Sequence, residues 1–267
     1  MTEPATSFNP RNGDAPIPGY SRRQLNGAEL VAHDSIIEGL SGVIARYGTL
    51  YAWARSVTQP LALRGRAPVY VAPVPGALST TLVVRHAWHG GLFAALTRDV
   101  FTRPTRAPTE LRVSRALLSA NVGTPELLAY ALYNAGPGVV RFDVASRYIP
   151  DSYDFAVVLS VLSPAITRAD AFDAIVPLMQ RLAEHGFTHP DLNVKNVLLS
   201  DVSRNTVASV LDVDVMEQHA QKSSVEVMEI NANRLVRSMR KSRRQFGVRI
   251  TDGEIEMFRD RLMAAVN

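Results

Sequence analysis

The stretch His189-Pro-Asp-Leu-Asn-Val-Lys-Asn-Val-Leu-Leu199 decides the fold class of this 267-residue chain. It places three polar residues in the spacing H-x-D-x-x-x-x-N, and a further acid, Asp212, follows a second apolar run. Phosphoryl transfer from ATP uses such a set: one carboxylate orients and deprotonates the attacking hydroxyl, while an amide oxygen and a second carboxylate hold Mg²⁺. The pattern therefore predicts Asp191 and His189 as catalytic residues. It predicts Asn196 and Asp212 as the ligands of Mg²⁺.

A simpler interpretation of the same residues stays open. Asp and Asn are common in turns between helices and strands, so Asp191 and Asn196 could merely cap such a turn. Short motifs also arise by chance. The strand-like Val-Leu-Leu that follows the motif, and the apolar run that ends at Asp212, favour the catalytic interpretation.

The composition is that of a globular protein, with 46% hydrophobic and 20% charged residues. The length predicts one large or two small domains. The absence of cysteine excludes disulfides and thiolate metal sites, and it fits a reducing compartment. The first residues show no secretory signal, and the longest charge-free apolar run is too short to span a bilayer. We therefore expect a cytoplasmic protein.

The apolar pattern predicts a disordered tail over residues 1–20, an N-lobe over 21–148 and a C-lobe over 149–267. The elements predicted for the N-lobe are a helix over Asp34–Ser56 with Ser35 and Glu38 as a capping box, strands at Val69–Pro73 and Thr80–Arg85, short helical patterns at Leu92–Leu96 and Thr109–Ala120, and a hairpin of Glu126–Tyr133 with Gly138–Tyr148. The C-lobe is mostly helical, beginning with Ala169–His185. The predicted class is α+β: a bilobal, protein-kinase-like fold with a β-rich N-lobe that carries a nucleotide-binding sheet, and a reduced helical C-lobe that carries the catalytic loop.

Three N-lobe residues are candidates for binding ATP. Gly65 could form a tight turn that lets backbone N–H groups approach phosphate. Arg85 ends a strand where kinases carry a cation for the α- and β-phosphates, and Glu110 lies near the start of the next helix, where its acidic partner is expected. Each has an ordinary alternative, namely a plain turn or a solvated surface residue. Their order along the chain, followed by the catalytic loop and the metal acid, favours the kinase-like interpretation.

The second strong feature is a basic helix at the C-terminal end of the chain. Residues 231–249 contain seven Lys or Arg and no acid. Arg237, Lys241 and Arg244 are the predicted contacts to an anionic substrate or an anionic membrane surface. The alternative is a core helix with a solvated basic face. No zinc-finger spacing, RRM motif or aromatic platform is present, so no nucleic acid partner is expected.

Several motifs together resemble the lipopolysaccharide core kinases, most closely the 3-deoxy-D-manno-octulosonic acid (Kdo) kinases. They are Val84-Arg-His-Ala-Trp-His-Gly-Gly91, the helix with Glu110, Arg147-Tyr-Ile-Pro150, His189-Pro-Asp-Leu-Asn193 with Asn196, Asp212-Val-Asp214, and Asn233-Arg-Leu-Val-Arg-Ser-Met-Arg-Lys241. The resemblance implies a protein-kinase-like fold, ATP and Mg²⁺ as cofactors, and transfer of the γ-phosphate to a hydroxyl of Kdo on a lipid A precursor. It also implies a peripheral position at the cytoplasmic face of the inner membrane.

The chain departs from the family pattern at Ala87, His89 and Val213, where the family carries Tyr, Arg and Phe. These departures put the sugar acceptor in doubt more than the reaction. The chain also lacks an A-P-E motif, so a protein substrate is not expected. Two alternatives therefore stay open: a kinase of another small hydroxylated substrate, similar to aminoglycoside phosphotransferases, and a catalytically silent binding protein with a kinase fold.

Overall fold

The computed structural model describes residues 16–58, 60–61, 68–77, 79–88, 99–160, 166–202, 205–246, 248 and 250–266. The chain forms two compact units. The described part of the N-terminal unit comprises residues 16–115 and 126–148, and that of the C-terminal unit comprises residues 116–125 and 149–266, each with the gaps given above. The predicted helical pattern at Leu92–Leu96 lies outside the described residues.

The N-terminal unit is built on an eight-stranded antiparallel sheet in the order β1-β2-β7-β8-β5-β4-β3, with β6 paired to β8. Its strands are β1 Tyr20–Leu25, β2 Ala28–His33, β3 Pro60–Leu61, β4 Val69–Pro73, β5 Thr81–His86, β6 Phe101–Thr102, β7 Leu127–Gly136 and β8 Val139–Arg147. The predicted strands β4, β5 and the β7–β8 hairpin are confirmed, with ends within three residues of those expected from the sequence.

Helices cover both faces of this sheet, because successive residues of a strand point to opposite sides. The helices among the described residues of this unit are α1 Ile37–Tyr47, α2 Leu50–Val57 and α3 Ala107–Ser119. Leu30 and Ala131 point to the face that packs against α1 and α2. Their neighbours Val31 and Leu132 point to the other face, where they share a core with Leu111 of α3.

The single helix predicted over Asp34–Ser56 is wrong, because the chain breaks it into α1 and α2. Gly48, with φ of 80°, ends α1, and the Thr49 side chain caps α2 by accepting a hydrogen bond from the Ala52 N–H at 2.9 Å. The predicted capping box of Ser35 and Glu38 is also wrong. Ile36 occupies the N-cap position of α1 without a side-chain bond, and Glu38 forms an ion pair with a strand arginine instead.

The β1–β2 hairpin has no counterpart among the predicted elements. Its turn is Asn26-Gly27, and both residues have positive φ (26° and 83°), as the tight turns of hairpins require. The hairpin also shortens the expected tail. Residues 1–15 lie outside the described residues, but Ile17 packs against the core and the Tyr20 hydroxyl donates to the Leu127 carbonyl at 2.8 Å.

The described residues of the C-terminal unit form small sheets and, from residue 149 onward, four α-helices. One sheet has the order β12-β11-β9 and consists of β9 Ser152–Asp154, β11 Val197–Val202 and β12 Asn205–Val210. A second pairs β10 Phe187–Thr188 with β13 Glu217–Gln218. The helices are α4 Phe155–Leu159, α5 Arg168–Glu184, α6 Ser224–Phe246 and α7 Asp252–Ala264. Phe155, Phe172 and Phe258 join α4, α5 and α7 in one aromatic core, with ring centroids 4.4 to 6.5 Å apart.

The predicted α+β class, with a β-rich N-terminal part and a helix-rich C-terminal part, is confirmed. None of the described helices combines the length and apolarity that a bilayer span requires.

Candidate functional site

The H-x-D-x-x-x-x-N motif forms the loop between β10 and β11, here called the catalytic loop (residues 189–196). Two amide side chains of the loop hold one backbone carbonyl: Asn193 Nδ2 and Asn196 Nδ2 both donate to the carbonyl oxygen of Asp191, each at 2.9 Å. Asn193 also accepts from the Lys195 N–H at 2.9 Å. These bonds fix the backbone of Asp191, while its carboxylate lies on the exposed side of the loop.

The His189 side chain contacts the backbone of the catalytic loop and of the residue before Asp212. Its ring is buried; Nε2 donates to the Leu211 carbonyl at 2.9 Å, and Nδ1 accepts from the Asp191 N–H at 3.2 Å. Burial lowers the pKa of His189 below its ordinary value, although the Leu211 carbonyl and nearby carboxylates oppose the effect. Both ring nitrogens are thus occupied by the protein. These contacts support a positioning role for His189, and its role as a catalytic residue stays a prediction.

Asn196 and Asp212 meet at the same end of the β11–β12 hairpin. Val197 pairs with Val210, and the Leu211 N–H donates to the Asn196 carbonyl at 2.9 Å, so the residues that flank the hairpin are neighbours. Asp212 has a left-handed backbone (φ 55°, ψ 49°), which is uncommon outside glycine and typical of functional turns.

The donor chemistry at this end of the hairpin fits Mg²⁺. The NH₂ group of Asn196 donates to the Asp191 carbonyl, so the amide oxygen of Asn196 takes no part in that bond. Mg²⁺ prefers oxygen ligands and is usually held by one or two carboxylates together with phosphate oxygens and water. Among the described residues no cluster of three or more His, Asp or Glu is placed to hold a metal. The roles of Asn196 and Asp212 as metal ligands stay predictions.

Helix α6 anchors the catalytic loop from one face. Asn231 accepts from the His189 N–H at 3.0 Å and donates to the Phe187 carbonyl at 2.9 Å. Two turns later Ser238 accepts from the Val194 N–H at 3.1 Å. Neither Asn231 nor Ser238 was among the site residues predicted from the sequence. The spacing of seven places them on one face of the helix, but which strand or loop they contact depends on tertiary structure.

In the N-terminal unit, Arg85 at the end of β5 forms an ion pair with Glu110 in the first turn of α3. Glu110 is buried and Arg85 is about one-third exposed, so the carboxylate is enclosed by protein while the arginine side chain is accessible to solvent. That this pair contacts ATP stays a prediction. Gly65, the third residue predicted to bind ATP, lies outside the described residues.

The residue after Arg85 belongs to a buried network that the sequence did not predict, here called the Asp143 cluster. Asp143 is fully buried and accepts from the His86 ring at 2.6 Å, the Tyr133 hydroxyl at 2.9 Å and the Tyr51 N–H of α2 at 2.9 Å. The other His86 nitrogen faces Asp99 at 3.2 Å. Burial alone would lower the pKa of His86, but Asp143 and Asp99 outweigh it and raise the pKa.

The basic residues of α6 fall into different environments. The predicted substrate contacts Arg237, Lys241 and Arg244 are all exposed to solvent and follow one side of the helix. Two others form ion pairs with α7, namely Arg240 with Glu256 and Arg243 with Asp252. The exposed stripe thus carries the charge that is available to a partner, and its binding role stays a prediction.

Comparison with known proteins gives one family. The profile of the lipopolysaccharide kinase (Kdo/WaaP) family matches residues 64–258. A 3-deoxy-D-manno-octulosonic acid kinase from Actinobacillus succinogenes is 26% identical over 206 residues, which cover 76% of this chain and 83% of that protein. One from Haemophilus influenzae is 24% identical over 194 residues, covering 71% and 78%. A solved structure, "WaaP in complex with acyl carrier protein", aligns over 88% of each chain with 13% identity and a TM-score of 0.49.

Proposed function

The chain belongs to the lipopolysaccharide kinase (Kdo/WaaP) family, and we propose that it transfers the γ-phosphate of ATP to a hydroxyl of Kdo on a lipid A precursor. The observation that carries the proposal is the hydrogen-bonded chain from Asp191 through Asn196 to the end of the hairpin at Asp212. A turn that only caps secondary structure has no need of this arrangement. The relatives that act on Kdo support the acceptor.

Each residue of the catalytic loop then has a role. The exposed carboxylate of Asp191 accepts the proton of the acceptor hydroxyl or orients it. Asn196 and Asp212 would hold Mg²⁺ through oxygen. The metal, when bound, neutralises charge on the phosphate oxygens. His189 and Asn231 keep the backbone of the loop in place.

The ion pair of the N-terminal unit supports ATP binding. Glu110 is buried and fixes the Arg85 guanidinium at the end of β5. A guanidinium offers a planar set of donors that can grip two phosphate oxygens, so arginine can replace the lysine that protein kinases use. We assign the α- and β-phosphates of ATP to Arg85. Gly65, which lies outside the described residues, keeps its predicted part in ATP binding.

The exposed stripe of Arg237, Lys241 and Arg244 supports a negatively charged acceptor. A lipid A precursor presents its charges at an anionic membrane surface, and each basic residue near such a surface contributes about 1 kcal/mol of attraction. We therefore place the enzyme peripherally at the cytoplasmic face of the inner membrane.

The test is Mg²⁺-dependent ATP consumption with a panel of acceptors. The panel contains a Kdo-bearing lipid A precursor, the same precursor without Kdo, and an aminoglycoside. We expect turnover with the Kdo-bearing lipid alone. Turnover that is as fast with the aminoglycoside would establish the alternative of a small-substrate kinase. ATP binding without consumption on any acceptor would establish a silent binding protein.

A further inference from the structure

Two glutamates of the N-terminal unit are each shared between two arginines. Glu29 of β2 forms ion pairs with Arg22 of β1 at 3.4 Å and with Arg103 at 3.2 Å. Val31 points to the face of the sheet that carries α3, and Glu29 lies two residues before it in the same strand. Because alternate residues of a strand share a face, this group of three charges lies on the α3 side of the sheet.

A second group of the same kind follows on that side. Glu126, directly before β7, forms ion pairs with Arg147 at 2.8 Å and with Arg115 of α3 at 3.8 Å. The Arg115 guanidinium also lies over the ring of Tyr20, 5.7 Å from its centroid. The two groups together contain four arginines, here called the arginine row (Arg22, Arg103, Arg115 and Arg147).

Strand β1 connects the two ends of the arginine row. Tyr20 and Arg22 are two residues apart in this strand, so their side chains share a face. Glu29 pairs in register with Leu132 of β7, and Glu126 precedes Leu132 by six residues. At about 3.3 Å per residue, the two glutamates are thus separated by roughly 20 Å along the sheet.

The charge that the row presents to solvent is positive. The two glutamate side chains are only 11% and 22% exposed, whereas those of the four arginines are 38% to 50% exposed. Four positive and two negative charges leave a net charge of +2. Two carboxylates cannot accept all the N–H groups of four guanidinium groups, each of which carries five donors. Exposed ion pairs add little to stability, so stability alone does not explain this excess of arginine.

The complement of such a surface is a series of carboxylates, which guanidinium groups bind through paired N–H donors. Two observations favour a polypeptide over a bilayer as their source. Elements that dock on bilayers commonly combine basic with large apolar side chains. None of the exposed large apolar side chains among the described residues belongs to β1, β2, β7 or α3. An open recess of about 620 Å³, lined by Glu29, Arg103 and the turns of the β1–β2 and β7–β8 hairpins, adjoins one end of the row and can admit side chains of a docked segment.

We propose that the arginine row binds an acidic segment of another protein. The carboxylates of this segment extend over about 20 Å, as they do along one face of a helix of about 13 residues. The row lies in the N-terminal unit and contains none of the residues assigned to ATP, Mg²⁺ or the acceptor. It is thus a partner-binding surface that does not depend on the proposed function.

Two peptides of equal composition test the proposal with the full-length chain. Both are alanine-rich helices held by a side-chain crosslink and labelled with a fluorophore. One carries all its glutamates on a single face, at spacings of three and four residues, and the other has them spread around the helix. Fluorescence anisotropy gives the Kd of each peptide. We expect the single-face peptide to bind on the order of 10-fold more tightly, and the difference to shrink at high salt.

The test variant combines Arg22→Gln with Arg115→Gln and so removes one arginine from each group. Each glutamate keeps its second arginine, so the Tm should stay near that of the wild type. The Kd for the single-face peptide should rise on the order of 100-fold, because hydrogen bonds to a charged group are lost at two places. The matched control is Arg46→Gln with Arg55→Gln. It removes the same charge from α1 and α2, which pack on the opposite face of the sheet, and should leave the Kd unchanged.

Each outcome bears on the surface itself, because neither ATP nor acceptor is present. Equal Kd values of the wild type and the Arg22 and Arg115 variant would overturn the proposal, as would equal Kd values of the wild type for the two peptides. The same proteins are measured with vesicles of equal parts phosphatidylglycerol and phosphatidylcholine, and with single-stranded DNA. If either probe binds through Arg22 and Arg115 while the single-face peptide does not bind, the surface belongs to a bilayer or to nucleic acid, and the acidic protein partner is excluded.

Discussion

Polar groups are held in place both in the catalytic loop and in the Asp143 cluster, but by different kinds of interaction. The loop uses neutral bonds: two side-chain amides on the Asp191 carbonyl, a neutral imidazole and an asparagine of α6. The cluster uses charge: a buried carboxylate, a histidine between two acids and the N-terminus of α2. Because the hydrogen bonds around the loop involve neutral groups, the Asp191 carboxylate remains available for its proposed role as the base. In the cluster, the charged groups interact with one another and so hold α2 and β5 together.

This difference predicts where substitutions will act. A change to the Asp191 carboxylate should affect turnover with little loss of stability, because Asp191 is exposed. Changes to the cluster should affect stability first, because its acid is enclosed and partnered on every side.

The largest effect is expected for Asp212→Asn. This change removes the only carboxylate that we assign to Mg²⁺, so it should weaken Mg²⁺-dependent ATP binding and reduce transfer to background. Titration of ATP binding and turnover with Mg²⁺ measures both. A Mg²⁺ dependence equal to that of the wild type would remove Asp212 from the metal site.

The next effect is that of Asp191→Asn. General-base assistance contributes on the order of 10²- to 10⁴-fold, and kcat should fall by about that factor while ATP affinity changes little. The amide fits the same space, so the Tm should stay near that of the wild type. Steady-state assays at saturating Kdo-bearing lipid give kcat, and near-normal turnover would exclude Asp191 as the base.

The catalytic loop could be predicted from the sequence because its polar residues lie close together along the chain. Asp191, Asn193 and Asn196 lie within six residues, and the hairpin pairing brings in Asp212. The strands β4 and β5 were predictable from β-branched runs bounded by Gly and Pro. The break between α1 and α2 was not predicted, although Gly48-Thr49 signals it by combining a helix terminator with an N-cap residue.

The remaining features needed the tertiary structure. The Asp143 cluster joins residues from five separate segments, so no spacing in the sequence indicates it. The β1–β2 hairpin begins with the polar run Ser21-Arg-Arg-Gln24, which lacks the apolar alternation of a half-buried strand. The anchors Asn231 and Ser238 look like ordinary polar residues of a basic helix. Only their contacts with the catalytic loop distinguish them.

Asp143→Ala tests the charged half of the comparison. It leaves the Tyr51 N–H, the Tyr133 hydroxyl and the His86 ring without their common acceptor in a buried site. Removing one partner of a buried charged pair typically costs about 3–5 kcal/mol, and we expect a loss of that order in the free energy of unfolding, measured by urea denaturation.

The matched control is Tyr133→Phe, which keeps the ring and removes the hydroxyl that donates to the Asp143 carboxylate and accepts from the Leu50 N–H, each at 2.9 Å. Burial raises the pKa of Tyr133 well above its ordinary value, so the hydroxyl is a donor at neutral pH. Its loss should cost about 1–3 kcal/mol. If Asp143→Ala costs no more than Tyr133→Phe, the cluster is held by packing rather than by its charge.

Charge removal on the exposed stripe should have a smaller effect, and only on binding. Arg237, Lys241 and Arg244 replaced together by Gln should weaken binding to anionic vesicles, by about 1 kcal/mol for each residue close to the surface, and the defect should shrink at high salt. The acceptor KM should rise while ATP binding is spared. Leu235→Ala provides the contrast: this residue is fully buried, so its loss should lower the Tm. Unaltered vesicle binding of the triple variant at low salt would reduce the stripe to solvated surface.

The smallest expected effect is the pH dependence that His86 confers on stability. Its pKa is raised in the folded protein by Asp143 and Asp99, with Arg141 on the far side of Asp99 and the rings of Tyr51 and Trp88 against it. A raised folded pKa contributes stability that is complete below the unfolded value of about 6.5 and is lost as the pH rises through the folded value. The free energy of unfolding should therefore decline from about pH 6 upward across that window, and His86→Gln should flatten the decline. Parallel pH profiles of the two proteins above pH 6, measured by urea denaturation, would show that the histidine is held by hydrogen bonds alone and that its proton contributes nothing to the cluster.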